Sequence, residues 1–464
     1  MLSADPGRRR RPEKPAESER LGYQASAEPG RRADPDNGSV PKGYARYALA
    51  VMVGINFLNY MDRYVPTAVS PIIQKEFHLS DTSVGLLASS FLIIYAVCAL
   101  PFGYWADRGI RKVVIGTGVT IWSVATLFTG LAQNFTQLFL SRAVVGIGEA
   151  SYYPAGTSLL GDYFPKNTRG RAMSIWGAGT AFGIAVGFIG GGLIGDAFGW
   201  RAAFYVVAIP GILFAILAFT LREPLRGSAE ARGPKVEHTH AASFSNFVGL
   251  LKIPTLRLTI LAQIFLFFVL AADVSWLPIY MVRHFAIKTS TAATISGGLV
   301  VVGGLIGTLG GGWVADWRAR KSAKGNLEVG LAGFLIASVS VGLAILAPSL
   351  TLFVPVFLIS VVALYLYNGP FTAIGQNVVP PSLRASAVVL TLFTAHLLGD
   401  SWSPAAVGFL SDRLGSLQLA LLLTSTPLLL VASFFTFLAL RTIDHDTTSM
   451  EDTWAAGKTE VLPV

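Results

Sequence analysis

Gly103-Tyr104-Trp105-Ala106-Asp107-Arg108-Gly109-Ile110-Arg111-Lys112 closes an apolar run with a glycine, an aspartate four residues on, and a cluster of cations. The same Gly-to-Asp spacing returns at Gly192/Asp196, Gly312/Asp316 and Gly408/Asp412. A chain with 48 glycines makes such pairs easily, so their placement is what informs. Apolar runs near the roughly 20 residues that cross a hydrocarbon layer lie at 45–71, 81–105, 111–131, 136–160, 171–195 and 201–221. A second series follows at 255–280, 291–315, 326–347, 350–372, 386–410 and 417–441. Numbered as spans 1 to 12, every third span beginning with span 2 carries a copy. Copies in spans 2 and 8 fall on one side, those in spans 5 and 11 on the other. Two inverted three-helix repeats per half, with the halves related by a parallel two-fold, produce that alternation.

The expected fold is an all-α membrane protein of twelve transmembrane helices in two six-helix halves. Its expected divisions are a disordered basic tail (1–44), a first bundle (45–221), a linker (222–254), a second bundle (255–441) and a C-terminal tail (442–464). Composition agrees: 52% of the 464 residues are hydrophobic and 14% charged, with a mean hydropathy of +0.56, so lipid is most of the solvent. The net charge of +9 would suit nucleic acid, but its distribution points to topology. About 29 Lys and Arg fall on the side of the chain ends and about 5 on the other, the bias of a protein with both termini cytoplasmic. Arg8 to Arg11 then read as an orienting tail, and no nucleic-acid partner is expected. The single Cys98 excludes an intramolecular disulfide.

Glycine lets two helices approach closely, and an aspartate at a helix end pairs with loop cations or a neighbouring helix N-terminus. Gly103, Asp107, Arg108, Gly109, Arg111 and Lys112 are therefore expected to act as a gate latch, with a fixed topology anchor as the plainer alternative. Gly179, Gly183, Gly187 and Gly191 give span 5 a small-residue face for a partner helix.

Ionisable groups inside a membrane are costly unless paired or wetted, so each is a candidate site. Span 1 carries Asp62 and Arg63, span 4 Arg142 and Glu149, span 7 Asp273, and span 11 His396 and Asp400. At 1.5 Å per residue, Asp62 lies roughly 22 Å above the entry of span 1; Arg142, on the oppositely running span 4, reaches the same height. Glu149 lies roughly 10 Å deeper on the same helix face. Asp62 and Glu149 are the expected proton-carrying carboxylates, with Arg63 and Arg142 as charge partners and anion receptors; a permanent structural ion-pair network is the competing reading. His396 and Asp400, one turn apart, suit a switch in the second half or a satisfied core pair. Asp273, with Trp276 and Tyr280, suits a cavity rim or an interfacial aromatic anchor. Phe57, Tyr64, Trp276, Tyr365 and Phe371 are candidate cavity-lining aromatics, against the alternative of helix packing.

The Gly103–Lys112 stretch resembles the major facilitator signature between helices 2 and 3. Four further stretches narrow the likeness: Asn59-Tyr60-Met61-Asp62-Arg63-Tyr64; Arg142 through Glu149, Ala150, Ser151 and Tyr152; Leu221-Arg222-Glu223-Pro224; and His396-Leu397-Leu398-Gly399-Asp400 with Ser403-Pro404, Gly408 and Ser411-Asp412-Arg413. Together they resemble the Spinster family of the major facilitator superfamily over about 45–441. The first two also resemble organic anion symporters of that superfamily; span 11 favours Spinster.

The resemblance implies a major facilitator fold and proton-linked or facilitated movement of an amphiphilic anionic lipid such as a lysophospholipid or sphingosine-1-phosphate. A proton-coupled symporter of small organic anions is the alternative. The proton gradient is the expected coupling ion, with no other cofactor and no metal. The expected setting is a monomer in a bacterial inner membrane, with the bilayer and a small amphiphilic or anionic substrate as partners. An enzyme is disfavoured by the absence of metal-ligand spacing, a nucleophile elbow or a phosphate loop; His238-Thr239-His240 sits in a polar linker. A receptor is disfavoured by the short tails.

Overall fold

The computed structural model describes residues 41–227, 229, 249–322, 324–380 and 383–455, and every regular element among them is helical. Arg8 to Arg11, His238-Thr239-His240, most of the expected N-terminal tail and of the linker, and 456–464 of the C-terminal tail lie outside the described residues. Span 1 is Lys42–Phe77, span 2 Asp81–Arg108, span 3 Arg111–Leu131, span 5 Lys166–Phe198 and span 6 Trp200–Thr220. In the second half, span 7 is Pro254–Phe285, span 8 Thr289–Ala319, span 9 Gly325–Ile345 and span 12 Leu417–Ala455.

Three spans are broken, each where a proline withholds a backbone donor from the carbonyl four residues earlier. Span 4 divides into Phe135–Ala150 and Tyr152–Tyr163, with Pro154 opposite the Ala150 carbonyl. Span 10 divides into Leu350–Tyr365 and Asn368–Asn377, with Pro370 opposite Leu366. Span 11 runs as Arg384–Ala395, a π-helical turn His396–Asp400, and Ser403–Leu414. Pro404 frees the Asp400 carbonyl there, and the Ser403 hydroxyl donates to it at 3.1 Å.

Among the described residues, nine helices are long and apolar enough to cross a membrane by themselves. The three spans outside that set are 1, 4 and 11, which carry Asp62 and Arg63, Arg142 and Glu149, and His396 and Asp400. Two of these three polar spans, 4 and 11, are also broken, while span 1 is a single continuous helix. Such departures are tolerated where protein or a cavity, rather than lipid, faces them.

One apolar core runs from Leu250 to Ile443 in the second half, around Phe334 and Phe353; others in the first half gather Met52, Ile55, Trp122 and Tyr152, and Trp200 and Phe204. Span 5 lays its glycine face on span 1, where a Cβ at Gly183 would stand 2.4 Å from the Phe57 carbonyl oxygen. Span 12 does not stop near residue 441. Its helix continues through the expected tail because Asp446 accepts from the Thr255 amide at 2.8 Å and Thr442 bonds the Thr255 hydroxyl at 2.6 Å, capping the start of span 7. The linker's opening residues are likewise held by the first half: Arg111, fully buried, donates to Glu223 and to the Pro224 carbonyl, and Arg226 donates to the Ala106 and Gly109 carbonyls.

Candidate functional site

The face that bears Lys42 and Ala455 is here the terminal face, and the opposite one the distal face. The halves are latched distally. Asp412, at the end of span 11, accepts from the Asp81 and Thr82 amides at 3.0 and 2.8 Å and from the Thr82 hydroxyl at 2.6 Å, so it caps span 2 across the interface. Asp196, at the end of span 5, accepts from the Ser290 amide of span 8 at 2.7 Å. Arg283 of span 7 grips both oxygens of Asp81 at 2.9 and 2.5 Å, and Ser411 adds a third donor at 2.6 Å. No side chain fits where spans 2 and 11 touch: a Cβ at Gly85 would stand 2.2 Å from the Pro404 oxygen, and one at Gly408 2.3 Å from that of Asp81.

The terminal copies of the motif are not used this way. The exposed carboxylates of Asp107 and Asp316 have no hydrogen-bond partner among the described residues. Arg108 stacks on Tyr104, its guanidinium 3.9 Å from the ring centre. Arg111 turns inward to Asp162, Glu223 and Ser158 of its own half, and the Lys112 amide donates to Glu223 at 3.1 Å. Of the cations expected in the gate latch, Arg111 here ties its own half together.

Between the halves lies a cavity of about 370 Å³. Arg63 and Arg142 reach it from spans 1 and 4, each backed by a buried carboxylate. Arg142 Nη1 lies 3.4 Å from Asp62 Oδ1, the pairing that equal depth predicts. Arg63 Nε donates to Glu149 Oε2 at 2.6 Å, a second and closer pair that the depth arithmetic did not identify. Phe91 lies between the two cations, 5.4 and 5.1 Å from their guanidinium carbons, and Tyr95 receives Arg63 at 4.5 Å. The carboxylates themselves are 1% exposed and stand behind the cavity wall.

Across the cavity, His396 Nδ1 meets Asp400 Oδ2 at 2.5 Å, and Phe267 stands edge-on to the imidazole at 5.0 Å. The π-helical turn accommodates this register, closed by the Ser401 amide donating to the His396 carbonyl at 3.1 Å. Tyr64, Trp276 and Tyr365 line the cavity as expected. Phe57 and Phe371 do not. Phe57 packs with the first-half core, and Phe371 is enclosed in the second half against Phe334 and Tyr367. Asp273 also differs from both of its readings: it lies inside the second half, bonded to Ser425 at 2.6 Å, and Tyr280 beside it is 3% exposed and bonded to the Ile345 carbonyl.

A model of the Major Facilitator Superfamily matches residues 52–404. The sphingosine-1-phosphate transporter SPNS2 of Xenopus tropicalis is 31% identical over 374 residues, covering 77% of this chain and 72% of the relative. The chain belongs to the Spinster family of the major facilitator superfamily. Protein spinster homolog 1 of Homo sapiens is 31% identical over 400 residues, or 80% of this chain and 74% of that one. The crystal structure of a bacterial homologue of the human lysosomal transporter Spinster, inward-facing and unoccupied, superposes with a TM-score of 0.78 at 28% identity, covering 88% of this chain and 99% of that one. This Spinster chain is a multi-pass integral membrane transporter and not an enzyme.

Sequence reasoning missed Phe91, Phe267 and Tyr367 in the wall, and Thr126, whose hydroxyl donates to Asp62 Oδ2. It also missed Asp81 and Arg283 in the distal latch. Asp81 offered one signal, as an acidic residue in the first turn of a helix that begins after Ser80. Arg283 offered another, as a cation in the last turn of span 7; Phe91, Phe267, Tyr367 and Thr126 carry no periodic or compositional mark.

Proposed function

We propose that this Spinster transporter moves an amphiphilic anion of the lysophospholipid or sphingosine-1-phosphate class by alternating access coupled to protons. The observation that carries the reading is the pair of cavity-facing arginines, each neutralised from behind by a buried carboxylate. A proton on Glu149 or Asp62 removes the charge that occupies its arginine and leaves a guanidinium directed at the cavity, where an anionic headgroup would meet it. Release of the substrate restores the internal pair and returns the proton. The aromatic walls of Tyr64, Phe91, Phe267 and Trp276 suit an apolar chain or ring. The relatives' name as sphingosine-1-phosphate transporters supports the same class.

The reading places the terminal face in the cytoplasm of a bacterial inner membrane, and takes the monomer as the working unit with the proton gradient as sole coupling agent. The distal latch is then closed and the cytoplasmic one undone. Pseudo-symmetry supplies the other state: Asp107 would cap the start of span 11 at Arg384, and Asp316 the start of span 5 at Lys166, as Asp412 and Asp196 cap spans 2 and 8 here.

The test is purified protein in liposomes holding a pH-sensitive dye, challenged with sphingosine-1-phosphate, a lysophospholipid and small sugar acids. Lipid-evoked proton movement that Asp62→Asn abolishes is the expected result. Movement with the sugar acids alone would transfer the protein to the organic-anion reading, and unchanged coupling in both Asp62→Asn and Glu149→Gln would end the proton-carrier assignment.

A further inference from the structure

The two carboxylates behind the arginines are not equivalent, and a residue of span 3 makes them differ. Asp62 has both oxygens occupied, Oδ1 by Arg142 and Oδ2 by the Thr126 hydroxyl. Glu149 has Oε2 occupied by Arg63, while Oε1 is buried with no hydrogen-bond partner. Helical threonines by default return their hydroxyl to a carbonyl of the preceding turn. Thr120 and Thr129 of the same span do so, to Gly116 at 2.8 Å and to Ala125 at 2.9 Å. Thr126, fully buried between them, instead donates across to span 1. A proton arriving on Asp62 Oδ2 would meet that donor and require the hydroxyl to turn round; one arriving on Glu149 Oε1 meets no competing hydrogen.

Resting on the proton-carrier reading above, we propose that Thr126 is a positioning residue that seats Asp62 as the standing counter-ion of Arg142, so that the coupling proton goes first to Oε1 of Glu149. The ionisable groups around the two carboxylates are Arg63 and Tyr60 on span 1, Arg142 on span 4 and, from span 2, Tyr95 against Arg63. Spans 3, 5 and 6, packed around them, carry ionisable residues only toward their ends. A conformational readout makes the test independent of substrate identity.

Spin labels at Lys166→Cys and Thr372→Cys in a Cys98→Ser background, both exposed on the terminal side, report the halves' separation as a function of pH in lipid nanodiscs. Loss of a hydrogen bond to a charged group should move the pH midpoint of that distance change by about one to two units in Thr126→Val. Thr126→Ser should restore the wild-type midpoint, which a purely packing role would not distinguish. Glu149→Gln should abolish the first proton-driven step. A folded Thr126→Val whose profile superposes on wild type, or a first step that survives Glu149→Gln and vanishes only in Asp62→Asn, overturns the inference while leaving proton coupling standing. If neither carboxamide variant alters the pH response, both readings fall.

Discussion

The distal and terminal faces carry the same Gly-to-Asp motif, twice each, and use it in opposite ways. Distally, Asp412 and Asp196 reach across the interface to cap helices of the other half, reinforced by Arg283 on Asp81. At the terminal face, Asp107 and Asp316 are exposed and the neighbouring Arg111 binds inside its own half. The motif is thus engaged at one face and open at the other; in the proposed alternating access, the conformation decides which copies are engaged. The capping geometry also explains why aspartate serves: a short carboxylate at a helix end meets the bare amides at the start of another helix, and the bond can form or part without leaving a deeply buried charge.

Four substitutions test that contrast, in descending order of effect. Gly85→Leu puts a side chain where the Pro404 carbonyl already stands. Overpacking of this kind costs about 1–3 kcal/mol, or roughly 5- to 150-fold in population, against the distally closed state. Labels at Lys75→Cys and Lys288→Cys in the Cys98→Ser background should separate while the terminal pair closes; an unchanged distal distance would show that the glycine contact does not hold the latch. Arg283→Ala removes the cation from Asp81. Because Arg283 is 42% exposed, solvent screening limits the loss to about 1 kcal/mol, and the same labels should show roughly a fivefold gain of the distally open population, diminished in high salt. The smallest effect is the most discriminating. Asp412→Asn should weaken distal closure by about 0.5 kcal/mol, whereas Asp107→Asn should leave it untouched and weaken closure of the terminal face by a similar amount. Equal effects of the two on the distal labels would break the proposed symmetry.

Much of this was legible in one dimension because bilayer thickness converts residue number into depth. The twelve spans, the pairing of the repeats, and the meeting of Asp62 with Arg142 follow from 1.5 Å of rise per residue. The His396–Asp400 contact follows from helical spacing alone. Prolines stand at the breaks in spans 4, 10 and 11, but those inside spans 1, 2, 6, 7 and 12 leave their helices continuous, so proline marks where a break can fall without deciding that it does.

The rotation of each helix about its own axis is a different matter. A helix surrounded partly by lipid is apolar on nearly every face, so its pattern does not say which side meets a neighbour. For that reason Tyr64 and Phe57, on one helix, end in the cavity wall and in packing respectively, and Phe371 ends in the core of the second half. The crossing of Arg63 to Glu149, the turn of Thr126 away from its own helix, and the choice of Arg111 for its own half are settled only by how neighbouring helices rotate and cross. Sequence by itself determined how many helices cross, that Asp62 and Arg142 meet, and where the Gly-to-Asp pairs fall. Tertiary structure alone decided which charges pair, which aromatics face the substrate path and which latches are closed, because those depend on side-to-side packing that hydropathy and rise per residue do not encode.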